Sequence, residues 1–343
     1  MPPSEAQEAV ERFKRLIEAQ DRRASAQMIR AYAPVYQRLQ RDTIELLRIA
    51  RERKLKPWQV MRLNRLRDLE RQFLANVAVF AGQAEGLVTQ SQLAAVGLAQ
   101  RGAEQTVAAG LPRGITMENL SRLGIGWDRL PEEAFANFVG IAGDGAPLGQ
   151  LFAELGPEAA PKIRDALSTG VALGKGPRAT AQLVRVQAGM PLSRALLITR
   201  TETNRAYRES TRFNYANNSR LVKGYRRHCF KGSGTCVACI ALDGTLYGLD
   251  EPLNEHPNGR CTLIPEVLDY RDLGYDLPPT PPIENARDWL AKQPEYRQRE
   301  LLGSRRFDAW QDGRVQLDQL ATIRGNRVWG DAAVVKPLRD LGI

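Results

Sequence analysis

The sequence is poor in the side chains that metal sites and redox centres use, with four cysteines and two histidines among 343 residues. It also lacks any apolar run near the roughly 20 residues that a membrane-spanning helix needs. The first residues, Met1-Pro-Pro-Ser-Glu, lack the charged and then apolar layout of a secretory signal. We therefore expect a chain without a membrane partner that folds in a reducing cytosol, where disulfides are rare.

The overall composition is that of a folded chain with an excess of positive charge. The sequence is 43% hydrophobic and 26% charged, which excludes a disordered protein and allows two or three modest cores. The net charge is +10, and the sequence pI is near 9.6. This balance favours acidic partners, above all nucleic acid.

The positive charge is concentrated between Arg38 and Arg71, where eleven basic residues face five acidic ones. One interpretation is a solvated helix face with ion pairs between successive turns. The other is a surface that contacts phosphates or an acidic protein. Tyr36, Trp58 and Phe73 have spacings that suit packing better than base stacking, so we expect any contact with double-stranded DNA to be made to its backbone. The candidate contact residues are Arg48, Arg51, Arg53, Lys54, Lys56, Arg62 and Arg65.

The pattern of apolar residues predicts an α+β chain that is predominantly helical. Residues 1–112 show helical spacing typical of antiparallel hairpins, with separate helices around Val10 and around Tyr36. Residues 113–274 read as a central helical domain followed by a small strand-rich module, because β-branched and aromatic residues alternate after residue 220. A proline-rich linker at 275–282 then precedes a short helical tail at 283–343.

Three of the four cysteines lie in the stretch CVACIALDGTLYGLDEPLNEHPNGRC, residues 236–261. Cys236 and Cys239 form a C-x-x-C turn that can hold one Zn²⁺ between two thiolates, and His256 and Cys261 could supply the remaining ligands. Four protein ligands leave no position for water, so this site is structural and not catalytic. A small strand module with little core gains stability from such a metal.

Two alternatives for this stretch stay open at the level of sequence. The cysteines could be ordinary buried thiols, or they could form a disulfide after release from the cell. Cys229 and His228 are spare ligands that could replace one of the four. A preceding helix carries Arg200, Thr201 and Glu202, where interhelix ion pairs are the simpler interpretation and a catalytic Glu202 would need an acid or base partner.

The order of these motifs resembles the Mu F-like head morphogenesis family, the minor capsid proteins of tailed bacteriophages. The resemblance covers roughly residues 150–270. The family's loop usually reads His-Pro-Asn-Cys-Arg-Cys, whereas this chain has Gly259 at the first of those cysteines. The motif positions that carry the resemblance, beside the Cys and His residues, are Arg200, Thr201, Glu202, Asp243, Gly244, Pro257, Asn258 and Arg260.

The resemblance implies structural work in a virion and no enzymatic activity. It implies a location inside the capsid at the portal vertex, reached from the host cytoplasm during procapsid assembly. The implied partners are the phage portal protein, capsid or scaffold proteins and packaged DNA, whose ejection such proteins can assist. A zinc-braced nuclease and a delivered effector are the alternatives. The nuclease would need a general base, and His228 and His256 are the chain's two histidines.

Overall fold

Helices form most of the chain before residue 221, and paired strands follow. The computed structural model describes residues 4–232, 234–277, 283–326 and 329–343, so residues 278–282 of the predicted linker lie outside the described residues. The α-helices are α1 (Glu5–Glu52), α2 (Pro57–Met61), α3 (Asn64–Gly110), α4 (Met117–Arg122), α5 (Gly149–Ala153), α6 (Leu155–Ala172), α7 (Pro177–Ala188), α8 (Met190–Asn217), α9 (Val237–Leu242), α10 (Ala286–Ala291), α11 (Glu295–Leu302) and α12 (Ser304–Gln311). The strands are β1 (Val222–His228), β2 (Leu246–Tyr247), β3 (Thr262–Val267), β4 (Ala321–Asn326) and β5 (Gly330–Val335).

The predominantly helical α+β class is confirmed, with one difference in the N-terminal part. Two separate helices were expected there, but α1 is one helix of 48 residues that continues through Pro34. The helix ends beside Lys54, whose φ of 51° places it in the left-handed region that usually takes glycine. Helix α2 and α3 follow directly, so a short basic connection joins two long helices.

The contacts divide the chain into two compact units, and α1, α3 and α8 contribute residues to both. We call Gln20–Ser91 with Gly140–Glu202 the helical unit. In it, α1 and α3 run antiparallel, since Tyr32 packs edge-on against Phe80 with ring centroids 4.8 Å apart and Arg38 donates to Asn76. We call Met1–Ala19, Gln92–Val139 and Thr203–Ile343 the sheet unit.

A three-stranded antiparallel sheet with the order β2-β1-β3 organises the sheet unit. Gly224 is required on β1 because a Cβ there would lie 2.6 Å from the Tyr247 carbonyl oxygen of β2. One residue further on, Tyr225 stacks on Tyr247 with ring centroids 5.4 Å apart. The core under the sheet includes the buried Leu221, Tyr225, Ile240 and Leu263.

The C-terminal region is more than a helical tail. Helices α10 to α12 confirm its predicted helical part, but β4 and β5 add an antiparallel hairpin that the sequence interpretation missed. Leu290, Phe307 and Leu320 of this region belong to the same buried cluster as the sheet. The amide of Ala333 on β5 also donates to the Asn254 carbonyl at 2.9 Å. The region is therefore an integral part of the sheet unit.

Candidate metal centre

Cys236 and Cys239 converge at the first turn of α9. Cys236 is the N-cap residue, and its Sγ accepts a hydrogen bond of 3.2 Å from the Cys239 amide. This bond brings the two Sγ atoms to 3.0 Å. All four cysteines are free thiols. The C-x-x-C turn thus presents two sulfurs on one side of the helix start, as the spacing predicts.

His256 faces these sulfurs from the loop before β3. Its Nδ1 lies 2.8 Å from the Pro257 carbonyl oxygen, which can only accept, so Nδ1 carries the hydrogen. Nε2 lies 3.2 Å from Cys236 Sγ and 3.3 Å from Cys239 Sγ. In the neutral imidazole, Nε2 would therefore present its lone pair toward both sulfurs and toward Glu255 Oε1, 3.2 Å away, which is how metal-binding histidines are commonly oriented.

Cys261 completes the group one residue before β3. Its Sγ lies 3.3 Å from Cys239 Sγ, and the cysteine is buried. We call Cys236, Cys239, His256 and Cys261 the Cys/His cluster. The structure brings all four predicted ligands around Cys239 and adds Glu255, whose Oε1 lies 3.8 Å from Cys239 Sγ. Two ligand sets result, one of Cys236, Cys239 and His256 and one of Cys239, Glu255 and Cys261.

The spare ligands do not join the cluster. Among the described residues, neither Cys229 nor His228 belongs to a set that could hold a metal. His228 is buried, and its Nε2 lies 2.6 Å from Glu11 Oε1. The Cys229 amide donates to Asp243, and burial followed by the charge of Asp243 raises the pKa of the Cys229 thiol. Both side chains therefore have structural surroundings of their own.

Electrostatics around the cluster favour a bound cation. Burial alone lowers the pKa of His256, but the hydrogen bond with Cys239 and the charge of Glu255 outweigh it and raise that pKa to about 9. The hydrogen bond from Cys239 lowers the pKa of the Cys236 thiol. The negative groups that hold a proton on His256 would equally attract a metal ion to this position.

The residues present fit a metal ion of the zinc class. Three sulfurs and one imidazole are the ligand set of common structural zinc sites. A buried donor points the same way, because Arg227 Nη2 lies 3.9 Å from Cys239 Sγ, at the long end of a hydrogen bond to sulfur. Metal-bound thiolates accept hydrogen bonds, which neutral thiols do only weakly. The cluster could therefore bind a metal, and such a metal would act as a cross-link between α9 and the β3 loop.

Residues 161–264 match the family model described as Phage Mu protein F like protein. This segment, 104 of the 343 residues, is similar to the Mu F-like family. The match contains the Cys/His cluster and confirms the resemblance seen in the motif order. The family is one of phage head morphogenesis proteins, which associates the chain with a structural role in the phage capsid. Comparisons with curated proteins and with solved structures found no match.

The Mu F-like segment holds its Asp-Gly motif in a buried structural position. The Asp243 carboxylate accepts hydrogen bonds of 2.6 Å from the amides of Cys229 and Ala286. Gly244 follows with φ +79°, and its amide donates to the Arg227 carbonyl at 2.8 Å. Asp243 thus joins the end of β1 to the start of α10.

The His-Pro-Asn loop of the segment is also shaped by its backbone. Asn258 has φ 68°, a left-handed conformation that asparagine tolerates better than most residues. This turn returns the chain from His256 to Cys261, and the Gly259 amide donates to the His256 carbonyl at 2.9 Å. The Arg260 guanidinium lies 5.3 Å from the Phe230 ring centroid.

The Arg-Thr-Glu motif lies on α8 in the helical unit. Arg200 Nε donates to Asp21 at 2.8 Å, and the Thr201 hydroxyl donates to the Leu197 carbonyl at 2.7 Å. Glu202 is fully buried and accepts a long hydrogen bond from the Gly143 amide. The contact of Arg200 with Asp21 joins α8 to α1 and supports the interpretation of an interhelix ion pair.

The candidate contact residues lie at the connection between α1 and α3, which we call the basic segment, residues 48–65. It contains seven cations and one acid, Glu52. Arg48 is ion-paired with Glu45 and Glu52, but the other six cations are exposed and have no ion pair among the described residues. Trp58 was expected to pack but is 56% exposed, with Arg62 lying 5.3 Å from its ring centroid.

Sequence reasoning missed the ion pair beside the Cys/His cluster. Arg227 Nη2 lies 2.7 Å from Glu255 Oε2, with side chains 0% and 1% exposed. The adjacent Arg226 pairs with Glu266 on the solvated face of the sheet. The only signal in the sequence is strand alternation, which places neighbouring arginines on opposite faces and forces one of them inward.

Proposed function

We propose that this protein is a minor capsid protein of a tailed bacteriophage that acts at the portal vertex inside the head. The match of residues 161–264 to the Mu F-like family carries this proposal. In this role the protein enters the procapsid from the host cytoplasm together with the portal, capsid or scaffold proteins. The predicted division into regions 1–112, 113–274 and 283–343 remains part of the proposal.

The basic segment supports a contact with a polyanionic partner. Residues 53–67 contain six cations and no acidic residue, and Glu45 and Glu52 neutralise only Arg48 nearby. Phosphate contacts of this kind do not read sequence and weaken as salt rises. We propose packaged DNA as the partner of the basic segment, bound through its backbone, while the portal protein binds elsewhere on the chain.

The Cys/His cluster has a stabilising role in this proposal, with Zn²⁺ held by Cys236, Cys239, His256 and Cys261. When bound, the metal supplies cross-linking and no chemistry. The geometry does not favour a nuclease, because His256 Nε2 faces two sulfurs and His228 is 2% exposed against Glu11. A general base must reach its substrate, and neither imidazole is placed to do so.

Co-expression with the portal protein of the same phage tests the location. The chain should co-purify and co-sediment with assembled portal rings, and it should appear in procapsids by immunolabelling at one vertex. Labelling distributed over the whole shell, or a chain absent from procapsids, would contradict the portal-vertex assignment. Nicking of plasmid DNA in Mg²⁺, lost in His228→Ala, would instead establish the nuclease.

The DNA contact is tested separately with a random-sequence duplex. The triple substitution of Arg53, Lys54 and Lys56 by alanine should weaken binding about tenfold or more at low salt. Each lost phosphate contact reduces the number of counterions that are released on binding. Arg122→Ala is the control, because Arg122 is an exposed arginine of α4 that lies outside the basic segment and is ion-paired with Glu118. Equal losses in both variants would show that the basic segment is not the contact surface.

A further inference from the structure

The ion pair beside the Cys/His cluster is fully removed from solvent. Arg227 and Glu255 have side chains 0% and 1% exposed, and Arg227 Nη2 also lies 3.9 Å from Cys239 Sγ. Burying such a pair costs more in lost hydration than the attraction between the two groups commonly returns. A buried guanidinium is therefore retained at this point for a reason other than simple pairing with Glu255.

Arg227 has more donor groups than Glu255 can satisfy. Its Nε and Nη1 are buried and have no hydrogen-bond partner among the described residues. Unpaired buried donors are costly, and the Arg227 donor that reaches the cluster is Nη2, which lies 3.9 Å from Cys239 Sγ. The thiols of the Cys/His cluster become strong acceptors only as thiolates, which is the state in which they bind a metal.

The net charge of the buried groups also favours thiolates bound to a metal. Arg208 is 6% exposed and interacts electrostatically with Glu255, Cys261 and Arg227. Arg208, Arg227 and Glu255 together carry one positive charge if all thiols are neutral, because Glu209, which also acts on Arg208, is ion-paired with Arg212. A divalent zinc ion with three thiolates and a neutral imidazole carries one negative charge, which balances the buried group.

The position of Glu255 depends on the glycine in the His-Pro-Asn loop. A Cβ at Gly259 would lie 2.5 Å from Cδ of Glu255, so only glycine leaves room for this carboxylate. The carboxylate then holds Arg227 beside Cys239. Gly259, Glu255 and Arg227 thus form one arrangement that brings a fixed positive charge to the sulfurs.

We propose that Arg227, held in place by Glu255, is the counter-ion that gives the Cys/His cluster its affinity for zinc. In this proposal Arg227 is a positioning and charge-balancing residue and not a ligand, and Glu255, whose Oε2 pairs with Arg227, serves as its anchor and not as the fourth ligand. This inference rests on the proposal that the cluster binds zinc. It adds that the bound centre contains three thiolates and is anionic.

The test compares Arg227→Met with Arg226→Met. The two positions are adjacent on β1, and Arg226 forms a half-exposed ion pair with Glu266 at 2.7 Å, which makes it a matched control. Zinc affinity is measured at fixed pH by competition with a chromophoric chelator. Loss of a partner just outside a metal shell typically costs about 10- to 100-fold in affinity. We expect that loss in Arg227→Met and a change of less than about twofold in Arg226→Met.

Cobalt(II) is the second probe, because its absorption reports the number of bound thiolates. Arg227→Met should keep the charge-transfer intensity of three thiolates while binding more weakly, as expected of a residue outside the ligand set. Equal zinc affinity in Arg227→Met and Arg226→Met would overturn this inference and leave the zinc proposal intact. A wild-type protein that binds neither metal would overturn both.

Gly259→Ala keeps the test decisive if Arg227→Met does not fold. The added Cβ displaces Glu255 from Arg227 but leaves both charges and all four ligands in the chain. We expect a several-fold loss of zinc affinity in Gly259→Ala. The double variant Gly259→Ala with Glu255→Ala should not regain this affinity, because Glu255, which holds Arg227 in place, is absent. Unchanged affinity in Gly259→Ala would contradict the role of the Glu255 anchor.

Discussion

The sheet unit and the basic segment use arginine in opposite ways. Arg227 is fully buried, has a fixed partner and lies beside sulfur atoms, whereas Arg62 is exposed and lies against an exposed Trp58. A buried charge acts through a few fixed contacts in a low dielectric, so its removal affects one site strongly. Exposed charges act together over about a Debye length, so removal of one changes binding only slightly. The same residue type thus supports a centre in one region and a contact surface in the other.

The largest effect is expected from a substitution of Cys239, which belongs to both ligand sets of the buried centre. Cys239→Ser should abolish metal retention and lower the free energy of unfolding by about 4 kcal/mol or more, because metal binding contributes directly to folding. Thermal and urea unfolding measure the loss. Cys229→Ala is the control, since this buried thiol lies outside both sets, and it should keep its metal.

A similar loss in Cys229→Ala, with metal retained in both variants, would show that packing and not a metal stabilises the region. The sheet unit would then not be linked by a metal, and its contrast with the exposed basic segment would no longer hold.

The next effect concerns Asp243, which joins two segments of the sheet unit. Asp243→Ala leaves the amides of Cys229 and Ala286 unpaired in the interior, which should cost about 3 kcal/mol. Limited proteolysis should then cut near the start of α10. Asp243→Asn retains one acceptor and should lose clearly less, and equal losses would contradict the two-bond account.

Single substitutions in the basic segment test the role of its exposed arginines. Arg62→Ala should weaken duplex binding about threefold and reduce the slope of log affinity against log salt by about 0.9. Arg122→Ala should change neither quantity, since this arginine lies outside the basic segment and is paired with Glu118. Fluorescence anisotropy over a range of salt concentrations measures both. An unchanged slope in Arg62→Ala would remove this residue from the contact surface.

The smallest effect is a pH dependence at Glu11. Burial on its own raises the pKa of Glu11, but the hydrogen bond with His228 and the charge of Lys14 outweigh it, so the pKa lies below its ordinary value of 4.5. A lowered folded-state pKa contributes stability that is present above pH 4.5 and lost as the pH falls through the lowered value.

Wild type should therefore exceed Glu11→Gln in stability by about 0.5 kcal/mol near neutral pH, and the difference should vanish in acid. Glu5→Gln on the same helix is the control, because its carboxylate is exposed at the start of α1. A difference between wild type and Glu11→Gln that is independent of pH would contradict the role of the hydrogen bond between Glu11 and His228.

The sequence was sufficient for the ligands of the Cys/His cluster because spacing alone constrains a C-x-x-C turn and a nearby His-Pro-Asn loop. It was sufficient for α8 because a long amphipathic pattern has few competing interpretations. It was not sufficient to distinguish Arg226 from Arg227, which look alike until the register with β3 assigns each to a face. Glu255 was missed for the same reason, since the space it fills exists only because residue 259 is glycine.

The C-terminal hairpin shows a different limit. β4 and β5 are short and pair only with each other within the described residues, so local propensity gave little signal beside the helical pattern before them. The spacing of Trp58 suits packing, but Trp58 lies on the exposed side of α2, whereas Val60 of the same helix is buried. Tertiary context decided both cases.

Metal content most directly tests the claim that the Cys/His cluster is a metal centre. Native mass spectrometry of protein purified without chelator should show one zinc per chain in wild type and in Cys229→Ala, and none in Cys239→Ser. A wild-type chain without metal, whose four thiols all react with a thiol reagent only after unfolding, would contradict the centre and leave the cysteines as core residues.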